Sequence, residues 1–138
     1  MLTKLVWALL FTLLLLVGTT WLALELDGVV EVTTFSKAGE ARVTHIWFVE
    51  DDGDMLLEAG NPQNPWVQDL AHLDQLVLTG ANLDGRYRFR VHAGEANHLL
   101  IRKLMAEKYG WRDVWIGWLF DTSASQLVRI ERIDETKN

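Results

Sequence analysis

Residues 5–24 (LVWALLFTLLLLVGTTWLAL) carry no charge at all, and nothing else in the chain constrains its fold as strongly. A helix of twenty residues is about 30 Å long, the thickness of a bilayer's hydrocarbon core. Trp7 and Trp21 lie near the two ends, where indole rings favour the membrane–water interface. Lys4 precedes the run, and Glu25 and Asp27 follow it. The expectation is a retained, single-pass anchor in the cell (inner) membrane, contacting the lipid bilayer through residues 5–24. Its rival is a cleaved signal peptide, with Lys4 as the charged end and residues 9–17 as the apolar centre. Thr19-Thr20-Trp21 and Trp21-Leu22-Ala23 fit poorly as small-x-small cleavage sites. Lys4 and the α-amino group favour an inside N-terminus, whereas Lys37 and Arg42 pull the other way. The side on which the rest of the chain lies is therefore undetermined.

The chain divides into an anchor over residues 1–26 and one domain over residues 27–138, within the size of a single small domain. Residues 25–138 hold 12 of the 13 Lys and Arg, all but Lys4, and all 19 Asp and Glu. An acidic domain lacks the basic face that phosphate neutralisation needs, which excludes nucleic acid as a partner. With no cysteine there is no disulfide frame, no thiolate zinc or iron–sulfur site and no thiol nucleophile.

Residues 29–37 (VVEVTTFSK), 41–50 (ARVTHIWFVE) and 55–59 read as three short strands, separated by Ala38-Gly39-Glu40 and Asp51-Asp52-Gly53-Asp54. They form a meander of antiparallel hairpins. Asn64 and Pro65 open a short helix over residues 66–73, with Asn64 as its cap and Trp66, Leu70 and Leu73 on one side. Residues 75–79 are a fourth strand. Residues 86–93 (RYRFRVHA) alternate, with Tyr87, Phe89, Val91 and Ala93 facing inward. Residues 95–109 form an amphipathic helix with Leu99, Leu100, Leu104 and Met105 on its apolar side, ended by Gly110. Residues 111–120 are a second, very apolar helical piece, and residues 126–133 a sixth strand before a polar tail. The first three strands leave no room for crossover helices, so the sheet is antiparallel and closes as a small barrel.

No phosphate loop and no dinucleotide fingerprint is present. His45, His72, His92 and His98 sit on four separate elements, so no metal site is expected. Asp51, Asp52 and Asp54 lack the spacing of a calcium loop and read as a solvated turn. Thr33, Thr34, Ser36, Lys37, Gly39 and Arg42 are more informative. Two cations, hydroxyls and a glycine turn on one hairpin can hold a phosphate, or form an ordinary polar hairpin. Trp111, Trp115 and Trp118 share a helical face that either covers the barrel's open end, dips into lipid, or lines a pocket for an apolar substrate.

VTTFSKAGEARVTHIWFVEDDGDMLLEAG (residues 32–60) resembles the FMN-binding split-barrel, pyridoxamine-phosphate-oxidase-like superfamily, in its deazaflavin-dependent nitroreductase branch. NPQNPWVQDL (residues 61–70) is similar to that branch's Asn-Pro-x-Trp-x-x-Asn-Leu helix start, with Asp69 where Asn is usual. Residues 104–111 resemble a late helix of some members. The resemblance spans residues 29–133. His45 stands where the family usually carries Pro, and no basic residue lies between Ala59 and Asn64, where many members place a phosphate-binding cation.

The resemblance implies a mainly β (α+β) fold: a six-stranded antiparallel split β-barrel with inserted helices, behind the N-terminal transmembrane helix. It implies a deazaflavin coenzyme or FMN as cofactor. Lys37, Gly39 and Arg42 would face the phosphate. Thr34, Thr44, Ala59, Gly60, Asn61, Asn64 and Trp66 would border the ring or its side chain, and Tyr109 would donate a proton. The implied activity is hydride transfer to a small nitro or quinone-like, lipophilic substrate, with homodimerisation across the cofactor groove as one arrangement. The alternatives are a cofactor-less barrel serving as a membrane-bound interaction or assembly subunit, and a haem- or tetrapyrrole-binding barrel.

Overall fold

A computed structural model describes residues 2–25 and 28–132. The expected domain boundary at residues 26 and 27, the last residue of the sixth strand and the polar tail lie outside the described residues. The chain orders as α1 (Leu2–Glu25), β1 (Val29–Phe35), β2 (Ala41–Asp51), β3 (Asp54–Ala59), α2 (Pro65–Asp69), β4 (Gln75–Gly80), β5 (Leu83–His92), α3 (Glu95–Tyr109), α4 (Trp111–Leu119) and β6 (Gln126–Arg132). The six strands close an antiparallel barrel in the order β1-β2-β3-β6-β5-β4, with β4 returning to β1. The expected barrel is the observed one.

Strand periodicity builds two cores. Val30 and Val32 of β1, Ile46 and Phe48 of β2, Leu57 of β3, Leu76 and Leu78 of β4 and Val128 and Ile130 of β6 fill the barrel. Trp66, Val67 and Leu70 of α2 join this cluster. On the outer face, Val49, Leu56 and Leu127 meet Ile101, Met105 and Tyr109 of α3. Each strand of this wall is therefore apolar on both faces, the pattern of a doubly covered sheet.

The turns explain the register. Asp52 and Gly53 both have positive φ (50° and 86°) between paired Asp51 and Asp54, as a two-residue type I′ hairpin requires. Ala81 and Asn82 do the same (53° and 62°) between paired Gly80 and Leu83. β5 thus begins at Leu83 rather than at residue 86, because alanine occupies a left-handed position that no sequence signature announces.

Four expectations change. Leu99 points outward, 59% exposed, and Ile101 takes the buried place. Val91 is 41% exposed, so the alternation of β5 weakens at its end. Asn64 occupies the N-cap of α2 without a side-chain capping bond. Its backbone oxygen accepts from Val67 and Gln68 instead. α4 does not cap the barrel as a core helix: Asp113 is its buried residue, while Trp111, Val114 and Trp118 are exposed.

Candidate functional site

A cavity of about 310 Å³ lies between the barrel wall and α4. Its floor is Ile46 and Trp47 of β2, Glu58 of β3 and Trp66 of α2; Ile116, Phe120, Asp121 and Thr122 close it from the other side. Gly60, Asn61 and Asn64 enter from the β3–α2 loop. Four predicted residues, Gly60, Asn61, Asn64 and Trp66, are thus brought together. A larger cavity of about 530 Å³ at the hairpin end of the barrel holds Glu50, Asp54 and Glu131 and collects none of them.

The cavity suits a flat ring. Trp47, Trp66 and Phe120 supply aromatic surface, and pockets of this kind orient a ligand with a few polar groups. Asn61, Asn64 and Thr122 are such groups. The indole Nε1 of Trp47 is buried, out of reach of the cavity surface, and has no hydrogen-bond partner among the described residues, which costs free energy. Trp47 is fixed from behind by Tyr109, stacked at 4.2 Å between ring centroids and 11° between planes.

The remaining predicted residues lie elsewhere. Ala59 is fully buried, and Thr44 is half-buried on β2. Thr34 is also fully buried, and its hydroxyl donates to Asp69 Oδ2 at 2.8 Å. Arg42 Nε donates to the same oxygen at 3.0 Å. Burial alone would push the Asp69 carboxyl up, but the bonds from Thr34 and Arg42 outweigh it and hold the group below its ordinary value. Asp69 is thus an acceptor that binds both a hydroxyl and a guanidinium.

The β1–β2 turn was read either as a phosphate-holding hairpin or as an ordinary polar one, and its backbone donors at Ala38, Gly39 and Glu40 are taken up within the turn. The N–H groups of Ala38 and Glu40 both donate to Ser36 Oγ, at 3.3 and 3.2 Å, and that of Gly39 to the Ser36 carbonyl at 2.8 Å. The serine hydroxyl that was to serve the anion serves the turn. Lys37 and Gly39 are exposed, and the left-handed Gly39 (φ 82°) has nothing within 4 Å of an added Cβ. Lys37 and Arg42 remain as side-chain cations. Arg42 is engaged by Asp69 and stands on the opposite face of β2 from His45, which lines the cavity.

Tyr109 does not reach the cavity. Its hydroxyl accepts from the Phe48 N–H at 3.0 Å and donates toward the carbonyls of Phe48, at 2.7 Å, and Gly28. Burial pushes its pKa to about 12, with the Phe48 bond and nearby Arg112 pulling weakly against it. The phenol is a strut between Gly28 just before β1, β2 and α3. Lys108 completes this corner, donating to the Phe48 carbonyl at 2.7 Å with its ammonium 3.5 Å from the Phe48 ring centroid.

One charged cluster escaped sequence reasoning. Arg102 of α3 forks to both oxygens of Glu58 (2.9 and 3.0 Å) and both of Asp113 (2.7 Å each). The carboxylate side chains are 9% and 7% exposed, and Arg102 is 20% exposed. The three residues are 44 and 11 positions apart in sequence, so no spacing signals them. They tie β3, α3 and α4 together behind the cavity, with Glu58 in its lining. Among the described residues, no Lys or Arg lines the cavity and no group of three metal-ligating side chains exists.

No family model and no curated protein matches the chain in sequence. Solved structures match in fold. HutZ, the heme storage protein from Vibrio cholerae, is 11% identical with a TM-score of 0.58, over 81% of this chain and 86% of that one. An F420-H2 dependent reductase is 20% identical with a TM-score of 0.55, over 76% of this chain and 95% of that one. A protein of the pyridoxamine 5'-phosphate oxidase type from Listeria innocua is 12% identical with a TM-score of 0.53, over 82% of this chain and 90% of that one. With its closed antiparallel barrel and inserted helices, the chain adopts the split-barrel fold of the FMN-binding, pyridoxamine-phosphate-oxidase-like superfamily.

Proposed function

We propose that the chain is a membrane-anchored oxidoreductase that holds a flavin or deazaflavin ring in the cavity between Trp47 and α4 and reduces a small lipophilic substrate. The observation that carries this reading is the aromatic slot itself, lined by Trp47, Trp66 and Phe120 beside Asn61 and Asn64. Such a ring would supply hydride transfer when bound. The chain's own residues would do the rest. Trp66 and Phe120 exclude water, and Trp47, held by the Tyr109 stack, offers an aromatic surface at a fixed position. Gly60 leaves backbone accessible beside Asn61 and Asn64. The anionic tail is left to the side chains of Lys37 and Arg42, without backbone donors from the turn. α1, whose apolar stretch Thr3–Ala23 is long enough to cross a membrane, is the anchor in this reading.

A second reading is favoured by the same geometry. The cavity is lined by the carboxylates of Glu58 and Asp121, and the β1–β2 turn is closed on itself. A barrel that has lost its coenzyme and acts as a membrane-bound interaction subunit has both features. The visible absorption spectrum of detergent-purified protein, before and after incubation with FMN or deazaflavin coenzyme, separates the two. A bound chromophore lost on Phe120→Ala supports the reductase. A colourless protein that takes up neither coenzyme overturns it, and a Soret band would move the reading to tetrapyrroles.

A further inference from the structure

We infer that α4 is an in-plane membrane helix, seated in the lipid–water interface beside the end of α1, and that it sets the α4 wall of the cavity against lipid. The inference rests on the anchored reading above. α4 is amphipathic in an unusual sense. Its inner face carries Asp113, held by Arg102, with Arg112 over the Trp47 and Tyr109 rings at 5.7 and 4.9 Å and Ile116 lining the cavity. At about 100° per residue, Trp111, Val114, Trp115 and Trp118 cluster on the opposite face. Trp118 is 78% exposed, Trp111 55%, Val114 54% and Phe120 54%. Contiguous exposed aromatics of this kind mark a binding surface rather than ordinary surface residues.

The occupant is indicated by α1. Trp115 Nε1 donates to Thr20 Oγ1 at 3.1 Å, three residues before the end of the apolar stretch at Ala23. That distance is about 4.5 Å along the helix, so α4 meets α1 at the level where the hydrocarbon ends. Trp21, 65% exposed, lies at the same level. Indoles at that depth place an apolar ring in lipid and an N–H in the headgroups. From Thr3 to Gly18 the side chains of the span are exposed on every side, and Thr12 satisfies its hydroxyl on the Ala8 carbonyl. The exposed face of α4 is thus continuous with a surface already suited to lipid. Because Ile116 and Phe120 also line the cavity, a lipophilic ring would pass from the bilayer to it along α4.

The absence of cysteine makes the test direct. Nitroxide labels are placed singly at Leu14→Cys, Val114→Cys, Trp118→Cys and Leu99→Cys in the full chain, reconstituted in phosphatidylcholine vesicles. Accessibility to oxygen and to a water-soluble nickel chelate is then measured. Labels at 14, 114 and 118 should favour oxygen, while the label at exposed Leu99 on α3 should favour the chelate, a reversal of at least about tenfold in the ratio. Chelate-favoured labels at 114 and 118, with 14 in lipid, overturn the inference and leave the anchor standing. A chelate-favoured label at 14 overturns the anchor and the inference with it. Protection from both reagents at 114 and 118, with spin–spin broadening, means that a second copy covers α4 and also overturns it.

Discussion

Replacing Arg102 by Met should be the most damaging single change outside the barrel core. The guanidinium forks to Glu58 and Asp113, whose side chains are 9% and 7% exposed. Methionine keeps the apolar stem but leaves two nearly buried carboxylates facing one vacated site. Breaking a buried pair in this way costs about 3–5 kcal/mol, because the stranded charges stay desolvated. For a domain of this size that is a fall in Tm of roughly 15 °C. A rescue distinguishes this cause from lost packing. Combining Arg102→Met with Glu58→Gln and Asp113→Asn removes both stranded charges and should recover most of the loss. Thermal unfolding of the detergent-solubilised full chain, followed by its tryptophan emission, measures it. A deficit below about 1 kcal/mol, or one that the triple variant does not recover, would refute the reasoning by showing that stranded charge is not what the single change costs.

Three further outcomes follow from the same structure. Tyr109→Phe should lower stability by about 1–3 kcal/mol, because the Phe48 N–H loses a buried acceptor. It should leave uptake of FMN or deazaflavin coenzyme unchanged; a protein of unaltered Tm that no longer turns over substrate would restore Tyr109 as a proton donor. Asp69 has a depressed folded-state pKa, so its contribution is present above the unfolded value and is lost as pH falls through the folded one. Asp69→Asn should flatten the acid limb of Tm between pH 5 and 2.5, which differential scanning calorimetry would show. Lys37→Ala should leave the unfolding free energy within about 0.5 kcal/mol of the parent. In the reductase reading it should weaken FMN binding several-fold and reduce its salt dependence, both visible by fluorescence titration.

The barrel was legible because its strands obey period-two patterning and two of its turns carry their own chemistry. Val30, Val32 and Thr34 on one face of β1 and the Asp52-Gly53 hairpin needed no tertiary information. The orientation of α3 was not legible. Leu99, Leu100 and Ile101 are consecutive apolar residues, so the helical period does not decide between Leu99 and Ile101; the packing of α3 on β3 does. The loop residues Gly60, Asn61 and Asn64 converged with Trp66 because one short loop carries them all. The partners of the β1–β2 turn were not legible for a local reason: Ser36 has the same hydroxyl whether it serves a phosphate or its own turn, and composition does not distinguish the two. Asp69 was visible only as a departure from Asn, and its partners Thr34 and Arg42 lie 35 and 27 residues away.

The Arg102 cluster and the aromatic face of α4 are two consequences of one constraint. α4 has nine residues, too few to hold its own orientation by helix propensity. Its rotation is set by its buried polar contact. Asp113, fixed by two 2.7 Å bonds to Arg102, turns inward; Trp118, five residues on, is rotated from it by about 140°, and Trp111, two residues before, by about 160° in the same sense, so the two indoles lie about 20° apart. Fixing Asp113 therefore obliges both indoles to face out. The cluster costs desolvation, as buried ion pairs do. An apolar contact would bind α4 as tightly but would not choose between its faces. On this account Arg102→Met should also let α4 rotate, and a nitroxide at Trp118→Cys in that background should lose its preference for oxygen even in the fraction that remains folded. If the label keeps its lipid signature there, the Trp115–Thr20 contact with α1 orients the helix without help from the ion cluster.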